Sequence, residues 1–174
     1  MLKRAVIYGL AFGSLSASMV LIFLMNELYR QRNWLSALPM LANIIIVGVG
    51  VYLFIKGSMK ITMEKPLTLG KALFWSLIVG LFASLVNVGT YQYIQNNKSD
   101  VYQTYISVQK EAMKNHILAD SNILQKDKAG KIQEAEKSID ENFDWGSFAR
   151  SEIQMSLSIA LIITLLVYLA NSKR

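Results

Sequence analysis

Four stretches of this chain, Ala5–Met25, Leu35–Ile55, Ala72–Ile94 and Ile153–Ala170, contain no Asp, Glu, Lys, Arg or His. An α-helix rises about 1.5 Å per residue and a bilayer's hydrocarbon core is about 30 Å thick, so roughly 20 apolar residues make one crossing. Inside hydrocarbon the backbone N–H and C=O groups find no water, and each run must bond them internally as a helix. Hydrophobic residues make up 53% of the 174 and charged residues 17%, the charges falling between the runs. The expected fold is therefore all-α: an integral membrane four-helix transmembrane bundle, one membrane domain over residues 1–174. Residues 95–152 form a polar insertion before the last span.

The first run has a basic start and the small residues Ser16-Ala17-Ser18, as a secretory signal does. A signal core ends after about 7–15 apolar residues, whereas Met19–Met25 continues apolar past that point, so this run is read as a retained span.

Charge sets the orientation. An even number of spans places both termini on one side, with Lys3, Arg4, Lys56, Lys60, Lys65, Lys71, Lys173 and Arg174 against the single acid Glu64. Gln95–Glu152, on the other side, carries eight basic and ten acidic residues. Lys and Arg in short loops stay cytoplasmic while long loops cross largely regardless of charge. Both termini are thus expected in the cytoplasm and the insertion outside it. The net charge of +6 lies beside the spans, so membrane lipid is the expected partner and nucleic acid is not. Tyr29, Trp34, Tyr91, Tyr93 and Trp145 at the outer ends, and Phe74, Trp75 and Tyr168 at the inner, are expected as headgroup-level anchors.

Small residues recur every four positions: Gly9, Gly13 and Ala17 in span one, Ser76, Gly80 and Ser84 in span three, and Ser156, Ala160 and Thr164 in span four. Such stripes let helix backbones approach closely, so these faces are expected to be internal seams. The Gly9/Gly13 face has a rival reading as a homo-oligomer seam. Asn43 and Asn87 lie deep within spans, where an amide needs a partner, and both are expected to face inward as helix-to-helix glue. In the loop between spans two and three, Pro66 should interrupt any helix and Thr68 should cap span three.

The insertion reads as a helical hairpin. Its first helix is capped by Ser99 or Asp100 and carries the stripe Val101, Tyr105, Val108 and Ala112, with Tyr102, Ile106 and Met113 beside it. A turn is expected over Ala119–Lys128, then a second helix after Ala129-Gly130 with Ile132, Ala135 and Ile139 on one face. Two such helices are too small for a core of their own, so the stripes must cover each other, the outer ends of the spans, or a partner protein.

Reactive chemistry is sparse. With no cysteine there is neither disulfide nor thiolate site. His116 and Asp120, four apart, fall short of the three or four ligands of a metal site, and Asp140, Glu141 and Asp144 lack the spacing and glycine of a calcium loop. No catalytic, cofactor-binding or metal residue is assigned, and an enzyme is not expected. Proton relays and ion-coupled carriers place ionisable groups within the bilayer, and the four runs hold none.

Lys3-Arg4 before the glycine-bearing first span, Leu67-Thr68-Leu69-Gly70-Lys71-Ala72-Leu73 entering the third, and the lysine-rich helical segment before the fourth resemble a family of small bacterial membrane proteins, the domain of unknown function DUF4199. The resemblance covers nearly the whole chain and implies four helices in the bacterial inner membrane, with no functional residues to carry over. The sequence thus favours a non-enzymatic accessory or scaffold protein acting through contacts of its spans and hairpin. The alternative is a small channel or carrier working as a homo-oligomer, with Asn43 and Asn87 along its path.

Overall fold

The computed structural model describes residues 1–30, 38–61 and 67–171, apart from the side chains of Tyr29, Lys60, Ile61 and Asn171. Among these residues the fold is all-helical, with six α-helices: α1 (Leu2–Met25), α2 (Leu38–Ile61), α3 (Leu69–Asn97), α4 (Ser99–Ala119), α5 (Gln125–Phe143) and α6 (Trp145–Asn171). A short 3-10 turn, Leu28–Arg30, follows α1. Trp34, Glu64, Lys65, Pro66, Lys173 and Arg174, used above for anchoring, orientation and helix breaking, lie outside the described residues.

Helices α1, α2, α3 and α6 are long and apolar enough to cross a membrane. They pack as α1 against α2 and α3, and α6 against α2 and α3. Large apolar side chains point away from this packing on all four helices, among them Ile22, Ile45, Phe74 and Leu166, each more than half exposed. In water such a surface would drive aggregation; against lipid tails it is the ordinary outer face of a spanning helix.

The small-residue faces meet other helices. A Cβ at Gly9 would lie 2.6 Å from the Phe82 Cβ and 2.7 Å from the Val79 carbonyl, and one at Gly13 would lie 2.8 Å from the Ala83 Cα. Both glycines therefore sit in the chain's own α1–α3 seam. Gly80 faces α6, where a Cβ would lie 2.8 Å from the Ser156 carbonyl oxygen. Ser76 and Ser84 are fully buried. Sequence reasoning passed over Gly50, where a Cβ would lie 2.6 Å from the ring of Phe12.

Two apolar clusters fill the interior. One gathers Ala5, Val47, Phe54, Ile55, Val79 and Ala160, with Trp75 packed against it. The other gathers Val20, Phe23, Leu24 and Ile94 with Tyr102, Tyr105 and Ile106 of α4. The α4 stripe thus covers one end of the spanning helices. Helix α5 runs back along α4, with Lys128 Nζ donating to the Leu118 carbonyl, Lys110 paired with Asp140 at 2.7 Å, and the Tyr102 hydroxyl donating to the Phe143 carbonyl at 3.1 Å.

Several local expectations are corrected. α4 begins after Lys98, and neither Ser99 nor Asp100 caps it; Lys98 alone separates it from α3. Thr68 does occupy the N-cap of α3, but without a side-chain cap bond. α5 starts at Gln125 and runs through Ala129-Gly130: a glycine inside a helix costs only about 0.5–1 kcal/mol, and a Cβ at Gly130 would meet no neighbouring element within 4 Å. Met113 stands exposed, while Ile117 is buried in its place on the α4 face. Trp75 is half-buried and packs against the first apolar cluster, while the neighbouring Phe74 is exposed.

Candidate functional site

The stripe Ser156, Ala160, Thr164 continues one turn toward the N-terminus to Glu152. All four side chains are buried, Glu152 with only 7% of its surface exposed. Glu152 is the flank of the last span in the sequence reading. α6, however, begins at Trp145, and its first two turns carry that carboxyl inward against α2 and α3. The expectation of an interior free of ionisable groups is corrected by this residue: the helix is longer than its charge-free run, and a stripe of period four does not stop where the charges begin.

Around the α6 carboxyl the other three long helices contribute one polar group each, Ser16 from α1, Asn43 from α2 and Asn87 from α3. The Asn43 amide nitrogen donates to Glu152 Oε1 at 2.6 Å, and that of Asn87 donates to the same oxygen at 2.9 Å. Asn87 also donates to Asn43 Oδ1 at 3.0 Å, and the Ser16 hydroxyl donates to Asn43 Oδ1 at 3.0 Å. The two amides bond each other across helices, with Glu152 and Ser16 completing a network. Its position between the two apolar clusters follows from the chain. On α1 it sits between Tyr8 and Val20, on α3 between Ala83 and Tyr91, and on α2 between Leu38 and Val47. Asn43 lies five residues into α2, about 8 Å along its axis, so the network is below the helix end and not at the surface.

The network is not sealed. Asn43, Asn87 and Glu152 form part of the wall of a cleft of about 660 Å³, which also reaches Tyr105 of α4 and Phe143 of α5. Tyr91, expected as a headgroup anchor, instead faces this cleft and packs on Phe148 with ring centroids 4.2 Å apart. Tyr105 and Phe143 meet edge to face at 5.6 Å. Burial, helped by the neighbouring Tyr102, pushes the Tyr105 phenol up to about 12, and Tyr102 is raised by burial and then by Asp144. The α4 side of the cleft is therefore uncharged across the physiological range.

The acids and histidine considered above lie elsewhere. Asp120 accepts a hydrogen bond from the Asn122 backbone N–H, which holds its carboxyl below the usual range, with His116 a lesser contributor. Asp140 pairs with Lys110, Glu141 with Lys137 at 3.7 Å, and Asp144 accepts from the Gly146 N–H. Among the described residues no three of His, Cys, Asp and Glu are grouped to hold a metal.

The sequence model of the family described as "Protein of unknown function (DUF4199)" matches residues 7–170 of the chain. Comparison with curated proteins and with solved structures finds no match.

Proposed function

The chain belongs to the DUF4199 family, and from that membership and the geometry above we propose that it is a non-enzymatic membrane protein that binds and carries a small polar solute. In this reading the spanning helices form a four-helix bundle in the bacterial inner membrane, both termini are cytoplasmic, and α4 and α5 form an extracytoplasmic hairpin over the cleft. The Lys and Arg bias of the short loops supports that orientation. One further support is geometric: the starts of α1 and α3 and the end of α2 share the apolar cluster opposite α4.

The observation that carries the reading is that Asn43, Asn87 and Glu152 converge on the wall of a cleft and not in a closed seam. Polar groups serving only to join helices need no opening; a cleft of several hundred Å³ with a few convergent polar groups is the usual form of a small-molecule site. Among the described residues the lining offers one carboxyl and no His, Lys or Arg, which suits binding better than acid–base chemistry. The lining residues Asn43, Asn87 and Glu152 come from one chain, so the carrier reading is framed for a single chain. The contact reading gains from exposed Met113, Leu118 and Leu124 toward the turn between α4 and α5. It loses from the α4 stripe, which is already packed on the spanning helices.

The double variant Asn43→Leu/Asn87→Leu, reconstituted in vesicles, should lose solute flux while remaining inserted and helical. Unchanged flux, together with a stoichiometric protein partner in mild-detergent purification, would replace the carrier with the contact reading. Orientation has its own check in this cysteine-free chain. Ser121→Cys, exposed in the α4–α5 turn, should react with an impermeant maleimide on intact spheroplasts. Gly70→Cys, exposed with nothing within 4 Å, should react only after permeabilisation; the reverse pattern would invert the topology.

A further inference from the structure

We propose that the solute held in the cleft is an organic cation, an alkyl- or arylammonium, bound by the Glu152 carboxylate and walled by the rings of Tyr91, Phe148, Tyr105 and Phe143. This rests on the solute-binding reading above and names its ligand class.

Charge comes first. Among the described residues Glu152 is the only Asp, Glu, Lys, Arg or His side chain lining the cleft. The ion pairs of the described residues join Arg30 to Glu27, Lys110 to Asp140 and Lys137 to Glu141, and none neutralises Glu152. A carboxylate withdrawn from water among spanning helices is costly unless a proton or a cation accompanies it. Two amide donors on Oε1 orient the group, but amides bring no net charge. Among the described residues no cation faces Glu152, and a cationic ligand supplies one.

The walls then discriminate among cations. A hard metal ion asks for a shell of about six to eight oxygens, as calcium does. Here a single carboxyl is accompanied by neutral groups, the amides of Asn43, Asn87, Asn142 and Gln154 and the hydroxyls of Ser151 and Ser158, and by two methionines (Met40 and Met155) and aromatic rings. Ring faces attract cations through their quadrupole, most usefully a diffuse ammonium with apolar substituents that also profits from the apolar surface. The four rings stand as two pairs, Tyr91 with Phe148 and Tyr105 with Phe143, the first contributed by spanning helices and the second by α4 and α5. A cleft of about 660 Å³ admits a molecule of this kind.

The test uses the purified full chain in mild detergent, titrated calorimetrically with benzyltrimethylammonium, with its neutral counterpart benzyl alcohol, and with sodium chloride at matched ionic strength. Benzyltrimethylammonium should bind and raise the unfolding midpoint, and the other two should not. Glu152→Gln keeps an acceptor oxygen for both amides, so it should retain helicity and midpoint yet weaken ammonium binding at least about 10-fold. Phe148→Leu should weaken it about 3- to 10-fold, the range a single cation–ring contact implies, and Phe148→Tyr should restore it. Equal effects of benzyl alcohol or sodium, or undiminished binding by Glu152→Gln, would overturn the assignment. If a neutral solute binds in an Asn43- and Asn87-dependent manner while ammonium does not, the cation is wrong and the solute site survives; if nothing binds, both fall.

Discussion

Gly13→Val is expected to prevent α1 from seating on α3 and to leave the protein inserted but unassembled. The Cβ of any residue at this position would meet the Ala83 Cα at 2.8 Å, the Ala83 carbonyl oxygen at 2.9 Å and the Val86 Cβ at 3.1 Å. Two of these are backbone atoms, so no rotamer change relieves the overlap and the helices must move apart. Association in lipid has no hydrophobic drive and depends on close packing, so the separation removes contact along the seam. Overpacking a tight interior costs about 1–3 kcal/mol for the small change to alanine, and valine adds two methyl groups to the same gap. Gly89→Ala, on the same α3 but with nothing within 4 Å, should stabilise by up to about 1 kcal/mol through helix propensity. Thermal or detergent unfolding of Gly13→Ala, Gly13→Val and Gly89→Ala measures the contrast. Equal shifts for Gly13→Ala and Gly89→Ala would mean that the close α1–α3 approach is not real.

Glu152→Ala and Glu152→Gln should separate in the opposite sense to a simple count of charges. Alanine strands the Asn43 amide N–H, whose acceptor is Glu152 Oε1, in a buried place, at about 1.5–3 kcal/mol for a bond to a charged group. Asn87 suffers less, because it also donates to Asn43 Oδ1. Glutamine keeps the acceptor and removes the desolvated charge, so the ligand-free protein should be as stable as the parent or more stable. Single hydrogen bonds between membrane helices average only about 0.6 kcal/mol, because unassembled helices find other partners. The alanine effect therefore depends on the stranded donor, and on no generic bond strength. Should Glu152→Gln prove less stable than Glu152→Ala, the network geometry is wrong.

The spanning helices were legible because bilayer thickness and backbone bonding leave few alternatives to a charge-free run of about 20 residues. Gly9, Gly13 and Gly80 were legible as close-packing positions because period four marks one face of a helix. Asn43 and Asn87 were read as facing inward, and they face each other. Glu152 was missed for a specific reason. A span defined by the absence of charge ends by construction at the first charge, so a carboxyl one turn beyond Ser156 is assigned to the boundary. Extending the small-residue stripe backward by four would have pointed to it. Tyr91 was missed as a cleft residue because a tyrosine near a span's end has the same sequence signature as an anchor; only the neighbouring Phe148, 57 positions away, decides between them. The start of α5 was misplaced because an exposed glycine and a helix boundary look alike without the surroundings.

The α4–α5 pair is tied to the spanning helices by two joints of one residue each, Lys98 and Asp144. Neither joint is helical, Lys98 at φ −139°, ψ 48° and Asp144 at φ −60°, ψ 137°, so each fixes the angle at which one helix leaves the next. One extra residue at either joint would swing Tyr105 or Phe143 off the cleft and strip the cover from Phe23 and Ile94. The Asp120–Leu124 turn, with no packed face to keep in phase, absorbs additions freely. The two hinges thus set the angular register between the α4–α5 pair and the four long apolar helices.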